Sequence, residues 1–258
     1  MKKKSITRDQ LELYLKELFA LDALEDLCPN GLQIEGTNRI EKVAFAVSAT
    51  ADSIGQAIAW GADTLIVHHG IFWKFHGARP ITGAFARRVR PLIQKEMNLF
   101  GIHLPLDGHI LLGNARSIAD KLEMKEIIPF GEYKKTPTGV KGILQKKLSA
   151  KKLQQQLEKI LDHQILMATP NPEAMISSIG IITGGARSGW QEAAMQKLDA
   201  YITGEMSEHD WYESQEGGIH MFAGGHNATE RFGIQNLMAK VNHEFKLNSI
   251  FIPSNNPA

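Results

Sequence analysis

A chain of 258 residues sits at the upper limit of one domain or holds two small ones, because a single core stops growing near roughly 250 residues. With 43% hydrophobic and 22% charged residues it has the apolar content of a globular fold, which excludes a disordered chain. Its 29 Lys and Arg balance 28 Asp and Glu to a net charge of +1, so no overall field draws it to nucleic acid or to an anionic membrane.

Lys2, Lys3 and Lys4 open the chain as a signal peptide would, but residues 5–10 are polar and no apolar stretch follows, which predicts no secretion signal. Thr7 and Gln10 stand in capping-box spacing, and Leu11, Tyr14, Leu15, Leu18 and Phe19 then recur at helical intervals. Cys28 is the only cysteine, which rules out an intrachain disulfide and points to a cytoplasmic protein. No His or basic residue adjoins it to lower its pKa, so it reads as a structural thiol. Residues 28–36 are turn-rich. Val43, Phe45 and Val47 alternate as in a strand, and 51–60 reads as a helix. Residues 64–67 are short, apolar and β-branched, as in a strand covered on both faces. A loop, a helix at 81–94 and a strand at 99–103 follow.

The second half repeats the rhythm. Strands are expected at 139–144, 165–168, 178–183, 200–203, 220–223 and 249–252. Helices are expected at 149–162, at 190–197, from about Ser207, and at 228–241. The apolar runs fall far below the ~20 residues that span a bilayer, so a soluble protein without a membrane partner is predicted. Alternating strands and helices of these lengths predict an α/β fold with mostly parallel central sheets, and the similar halves suggest a duplication. Pro129, Gly131 and Pro137 interrupt the pattern between 125 and 138. The expected division is therefore 1–128, carrying His68, His69 and Asp107, and 129–258, carrying His226 and Glu230. The C-terminal part of the second region is expected to pack back on the first domain.

In open parallel sheets, ligands collect beyond the carboxyl ends of the strands. His68 and His69 directly follow the 64–67 strand, Asp107 comes shortly after the strand ending at His103, and His226 follows the 220–223 strand. Glu230, four residues on, shares a helix face with His226. Successive side chains of a regular strand point in opposite directions, so the adjacent histidines are read as serving one ion each. Three imidazole nitrogens and the oxygens of two carboxylates give each of two ions about three or four donors. Positions then stay open for a bridging water, as in a binuclear catalytic centre. The mixed nitrogen and oxygen set admits Zn, Mn, Fe, Co or Ni.

His103 reads as a residue supporting the ligands from behind, a proton relay or a packing residue. His76, His109, His163, His209, His220 and His243 read as structural. The glycine-rich turn at 183–189 lacks a Walker or Rossmann pattern and reads as a tight strand-to-helix turn rather than a phosphate cradle. Lys146, Lys147, Lys151 and Lys152 read as a solvated helix face.

Ile66-Val67-His68-His69-Gly70-Ile71-Phe72-Trp73-Lys74, His103-Leu104-Pro105-Leu106-Asp107 and Gly225-His226-Asn227-Ala228-Thr229-Glu230-Arg231-Phe232-Gly233 resemble the signatures of the Nif-like dinuclear metal-centre hexamer family. Some members of that family are named GTP cyclohydrolase 1 type 2 homologs. Residues 30–36, 183–186 and 203–208 extend the similarity over nearly the whole chain. Asn227 departs from many relatives but falls between the ligands. The resemblance implies two similar three-layer α/β domains and a homo-hexameric toroid whose metal sites face an internal cavity. It also implies two divalent metal ions on His68, His69, Asp107, His226 and Glu230, with Glu230 between the ions. The function expected from it is a metal-dependent hydrolase that uses a metal-bridging water on a small-molecule substrate, and GTP ring opening is what the name implies. The alternative is a non-catalytic metal-binding hexameric scaffold or regulatory protein. No catalytic side chain is assigned, and no nucleic-acid partner is indicated.

Overall fold

The computed structural model describes residues 4–23 and 25–258. They form two compact units, one of the described residues up to 106 with 234–255, the other of 107–233 and 256–258. The division passes through two helices, Leu104–Asp107 and His226–Phe245, and residue 128 lies within a strand, Met124–Tyr133.

The first unit is built on a five-stranded sheet in the order Asn248–Phe251, Lys42–Ser48, Thr64–His69, Asn98–Gly101, Gly31–Ile34. The first four of these are mutually parallel and the last is antiparallel. The turn-rich stretch at 28–36 thus contains an edge strand, Gly31–Ile34, whose alternation of Leu32 and Ile34 about Gln33 is too short to stand out among the turn residues. Ala44, Ala46, Leu65, Val67 and Leu99 pack with Ile54, Ala57, Val89 and Leu92 of the helices on one face. Val43, Phe45, Ile66 and Phe100 alternate to the other face and are equally buried, so the sheet is covered on both sides. The capping box at Thr7 forms as its spacing requires: Thr7 Oγ1 accepts from Gln10 N at 3.1 Å and Gln10 Oε1 accepts from Thr7 N at 2.9 Å.

A six-stranded sheet organises the second unit, in the order Met124–Tyr133, Thr136–Ser149, Met175–Ile181, Ala200–Thr203, His220–Ala223, Leu166–Ala168. Its three inner strands from Met175 to Ala223 are parallel, while both edges are antiparallel. The interruption at 125–138 is therefore a hairpin. Pro129 and Pro137 sit in it at register positions opposite Val140 and Glu132, at the edge of the sheet where a missing N–H is tolerated. Ile179, Ile181, Ala200, Ile202 and Phe222 face a core with Leu153, Leu157 and Leu161, and Tyr201 and Met221 face a second core with Trp190 and Ala193.

Both units repeat one device at the start of a central strand. Asp63 Oδ2 accepts from Glu41 N and Lys42 N at 2.7 and 2.8 Å, and Asp199 Oδ2 accepts from Ser177 N and Ser178 N, both at 2.8 Å. The carbonyls of Asp63 and Asp199 then accept from Asn98 N and His220 N, which start the next parallel strand in each unit. Two α/β sheets, each with a parallel core and the same strand-start carboxylate, are what a duplication leaves. Among the described residues no helix is long and apolar enough to cross a membrane.

Candidate functional site

In the first unit the candidate residues gather at the carboxyl end of Thr64–His69. Pairing holds the strand between its neighbours as far as Val67 on one side, opposite Gly101, and as far as His69 on the other, opposite Ser48. Strict alternation would send His68 and His69 to opposite faces. Instead the ladder is already ending on one side, and the two ring centroids lie 4.5 Å apart. The single-ion-per-histidine argument from alternation therefore does not apply to this strand end.

Each ring is fixed through Nδ1. His68 is fully buried, and its Nδ1 donates to the Ile102 carbonyl at 2.9 Å, which leaves Nε2 as the lone-pair nitrogen. His69 Nδ1 lies 3.0 Å from Ser48 Oγ. His103, just past Asn98–Gly101, has its Nδ1 2.7 Å from Asp26 Oδ1. Burial works against the Asp26 charge, but the His103 bond and charge and the Asn30 and Leu104 donors outweigh it and hold the carboxyl below its ordinary range. His68, His69 and His103 each offer a donor atom, and the three atoms lie within 4.8 Å of one another.

The 30–36 segment braces these loops. Asn30 Oδ1 accepts from His103 N at 2.8 Å and Gln33 Oε1 accepts from Ile71 N at 2.9 Å. A Cβ on Gly70 would overlap the Gln33 amide, so glycine after the paired histidines is a requirement of close packing. Trp73 lies edge-on to His103, 5.0 Å between centroids, and 5.9 Å from His69. Cys28 is 3% exposed, and burial together with the Asp26 charge pushes its thiol far above the ordinary value, against a smaller opposing effect of Lys74. It is no nucleophile at neutral pH, in line with the structural reading.

The second unit gathers Asp107, His226 and Glu230. Asp107 Oδ1 accepts from Asn114 Nδ2 at 2.8 Å and from Thr183 Oγ1 at 3.2 Å, which sets the plane of the carboxylate. His226 begins its helix directly after the strand His220–Ala223, and Glu230 follows one turn on, with Oε2 3.2 Å from His226 Nε2. Asp107 and Glu230 each place an oxygen within 4.8 Å of the other. His226 Nδ1 donates to Glu205 Oε1 at 2.6 Å. Burial disfavours the charged ring, but the hydrogen bonds and charges of Glu230 and Glu205 outweigh it and raise the His226 pKa to about 9.

Gly184, at φ 67°, passes so close that a Cβ would overlap Glu230 Oε1 and come within 3.1 Å of His226 Nε2. The 183–189 turn therefore shapes the carboxylate site, through Thr183 on one side and Gly184 on the other. Beside it lies a cleft of about 560 Å³ lined by residues including Glu205, Ser207, Arg187 and Gly225. Asp26, Glu205, Asn114 and Thr183 received no role from sequence alone. Only Glu205 carried a signal: it stands six residues after Asp199, as His69 stands six after Asp63.

A family model described as Duf34/NIF3 (NGG1p interacting factor 3) matches residues 6–257. The chain belongs to this family. Proteins named "GTP cyclohydrolase 1 type 2 homolog" from Vibrio cholerae and Pasteurella multocida are 38% and 37% identical to it over 253 and 249 residues, each match covering 96% of this chain and 98% of the relative. A solved structure described as protein ybgI, of unknown function, superposes with a TM-score of 0.91 at 36% identity, covering 98% of this chain and all of that one. A Thermus thermophilus protein superposes at 0.86 with 30% identity, covering 98% and 100%. The NIF3 resemblance read from the sequence is borne out. The segments that carry it, 66–74, 103–107 and 225–233, also present the histidines and carboxylates described above.

Proposed function

We propose that the protein is a metal-dependent hydrolase that holds two divalent ions on His68, His69, Asp107, His226 and Glu230. The observation that carries this reading is the treatment of the imidazoles. His68, His69 and His226 each have Nδ1 engaged by an oxygen, of a carbonyl, a hydroxyl and a carboxylate respectively. That outer contact fixes ring orientation and is the common companion of metal ligation through Nε2. Imidazoles with buried carboxylates and no thiolate suit Zn, Mn, Fe, Co or Ni. When bound, such a pair supplies Lewis acidity and a water acidic enough to attack at neutral pH.

The chain's own residues do the rest. Ile102, Ser48 and Glu205 keep the rings turned, and Asn114 and Thr183 hold one oxygen of Asp107. Gly184 keeps space at Glu230, and the cleft beside Glu205 gives room for a small molecule. The names of the relatives make GTP the first substrate to try. A turnover assay on GTP and generic phosphoesters compares the wild type with Glu230→Ala. Metal-dependent turnover that falls by at least about a hundredfold in the variant is expected, since Glu230 serves the ions. No turnover in either protein would favour a non-catalytic metal-binding scaffold. A cytoplasmic homo-hexamer completes the reading, on the family resemblance and the single reduced cysteine. A solution mass six times the 28.6 kDa chain is expected by light scattering, and a monomeric mass would refute the assembly.

A further inference from the structure

We infer that the cleft beside Glu205 binds a small molecule by an oxyanion group, phosphate or carboxylate, anchored by the Arg187 guanidinium. This deepens the hydrolase reading, on which calling that molecule the substrate rests. The cleft, of about 560 Å³, has the size of a small-molecule site. Its lining includes Ala223 and Gly204, at the carboxyl ends of the parallel strands His220–Ala223 and Ala200–Thr203, where α/β sheets collect ligands. Its charges point to an anion. Among the lining residues Arg187 is the only Lys or Arg and Glu205 the only Asp or Glu. Glu205 gives Oε1 to His226 Nδ1, so its charge is matched. Arg187 makes no hydrogen bond or ion pair through its side chain among the described residues. His163 offers a ligand nothing, since its Nδ1 and Nε2 lie 2.7 and 2.9 Å from the carbonyls of Gln164 and Pro257. The unmatched charge is therefore positive, and a guanidinium fork matches two oxygens of a carboxylate or phosphate.

The turn that carries Arg187 is fixed from beneath. The hydroxyl of Tyr201, a fully buried residue, donates to the Ala186 carbonyl at 2.6 Å, and a Cβ on Gly189 would overlap that hydroxyl. Asp210, 2% exposed, accepts from Trp190 Nε1 at 3.0 Å and from Ser207 N at 2.9 Å, which ties the Arg187 turn to the 205–207 wall of the cleft. Arg187 thus stands on a backbone already in place, so binding does not have to order it. Leu166 and Met206 add apolar surface for the body of the ligand.

Isothermal titration calorimetry of the full chain with phenyl phosphate, benzoate and the neutral benzyl alcohol tests this. The protein is stripped of metal with EDTA, so that neither hydrolysis nor anion binding by an ion enters the measurement. The anions are expected to bind at least about tenfold more tightly than the alcohol, and the tighter of the two identifies the oxyanion. Arg187→Ala, at an exposed position, is expected to weaken the anions at least about tenfold and to leave the alcohol unchanged. Anion affinity unchanged by Arg187→Ala, or a wild type that binds neither anion more tightly than the alcohol, would overturn the proposal. Should melting curves show that Arg187→Ala has not folded, Leu166→Glu decides by the same criterion, because it sets an acid in the cleft from a residue 51% exposed. Anion binding lost with Arg187→Ala in a protein that turns over no substrate would support this site and refute the hydrolase. Metal-dependent turnover of a phosphoester with kcat/KM untouched by Arg187→Ala would refute this site and leave the hydrolase standing.

Discussion

His226 is the residue whose chemistry is most exposed to test. With Glu205 and Glu230 on its two nitrogens its pKa rises from 6.5 to about 9, so the metal-free protein carries a proton there at neutral pH. A raised folded-state value means that this contribution to stability is fully present below 6.5 and is lost as pH rises through about 9. A ligating imidazole must be neutral, so an incoming cation has to displace that proton, and affinity climbs with pH up to about 9. Calorimetric metal titration at pH 7.5 in buffers of different ionisation enthalpy is expected to show about one proton released per chain from this group. Release unaffected by His226→Ala would contradict the assignment.

At the scale of elements, side-chain periodicity showed where strands and helices lie but not how strands end. The strand at 64–67 was legible from its β-branched run, yet its continuation through His69 depends on pairing with Ser48, a partner 21 residues away. The hairpin of Met124–Tyr133 with Thr136–Ser149 was obscured by its prolines, which read as breaks until their place at the sheet edge is known. Asp210 shows a similar non-local role. It accepts from Ser207 N at 2.9 Å at the start of the helix Glu208–Glu216 and from Trp190 Nε1 at 3.0 Å on another helix. Burial opposes its charge, but those donors, with the His209 charge, outweigh it and hold the carboxyl below 3.8. Its contribution is thus present above 3.8 and disappears as pH falls through the lower folded value. Asp210→Ala is expected to cost about 1–3 kcal/mol in urea unfolding at pH 7 and to flatten the acid side of the stability profile. An unchanged profile would show that the two helices do not depend on this carboxylate.

For the molecule as a whole, the candidate ligands were legible because His68, His69, Asp107 and His226 come at or after strand ends, where open α/β sheets place their ligands, and Glu230 follows His226 by one helical turn. Their partners were not, since Asp26 and Glu205 meet His103 and His226 only through folding, 77 and 21 residues apart in sequence. The repeated strand-start carboxylates Asp63 and Asp199 give the duplication a physical form that periodicity alone lacked. The proposed function assigns a pair of ions to His68, His69, Asp107, His226 and Glu230. Anomalous diffraction at the metal edge, from crystals of the full chain grown with Zn or Mn, tests that most directly. Two peaks per chain bounded by His68, His69, Asp107, His226 and Glu230 are expected. An absence of peaks there, or ions held only at other residues, would contradict it.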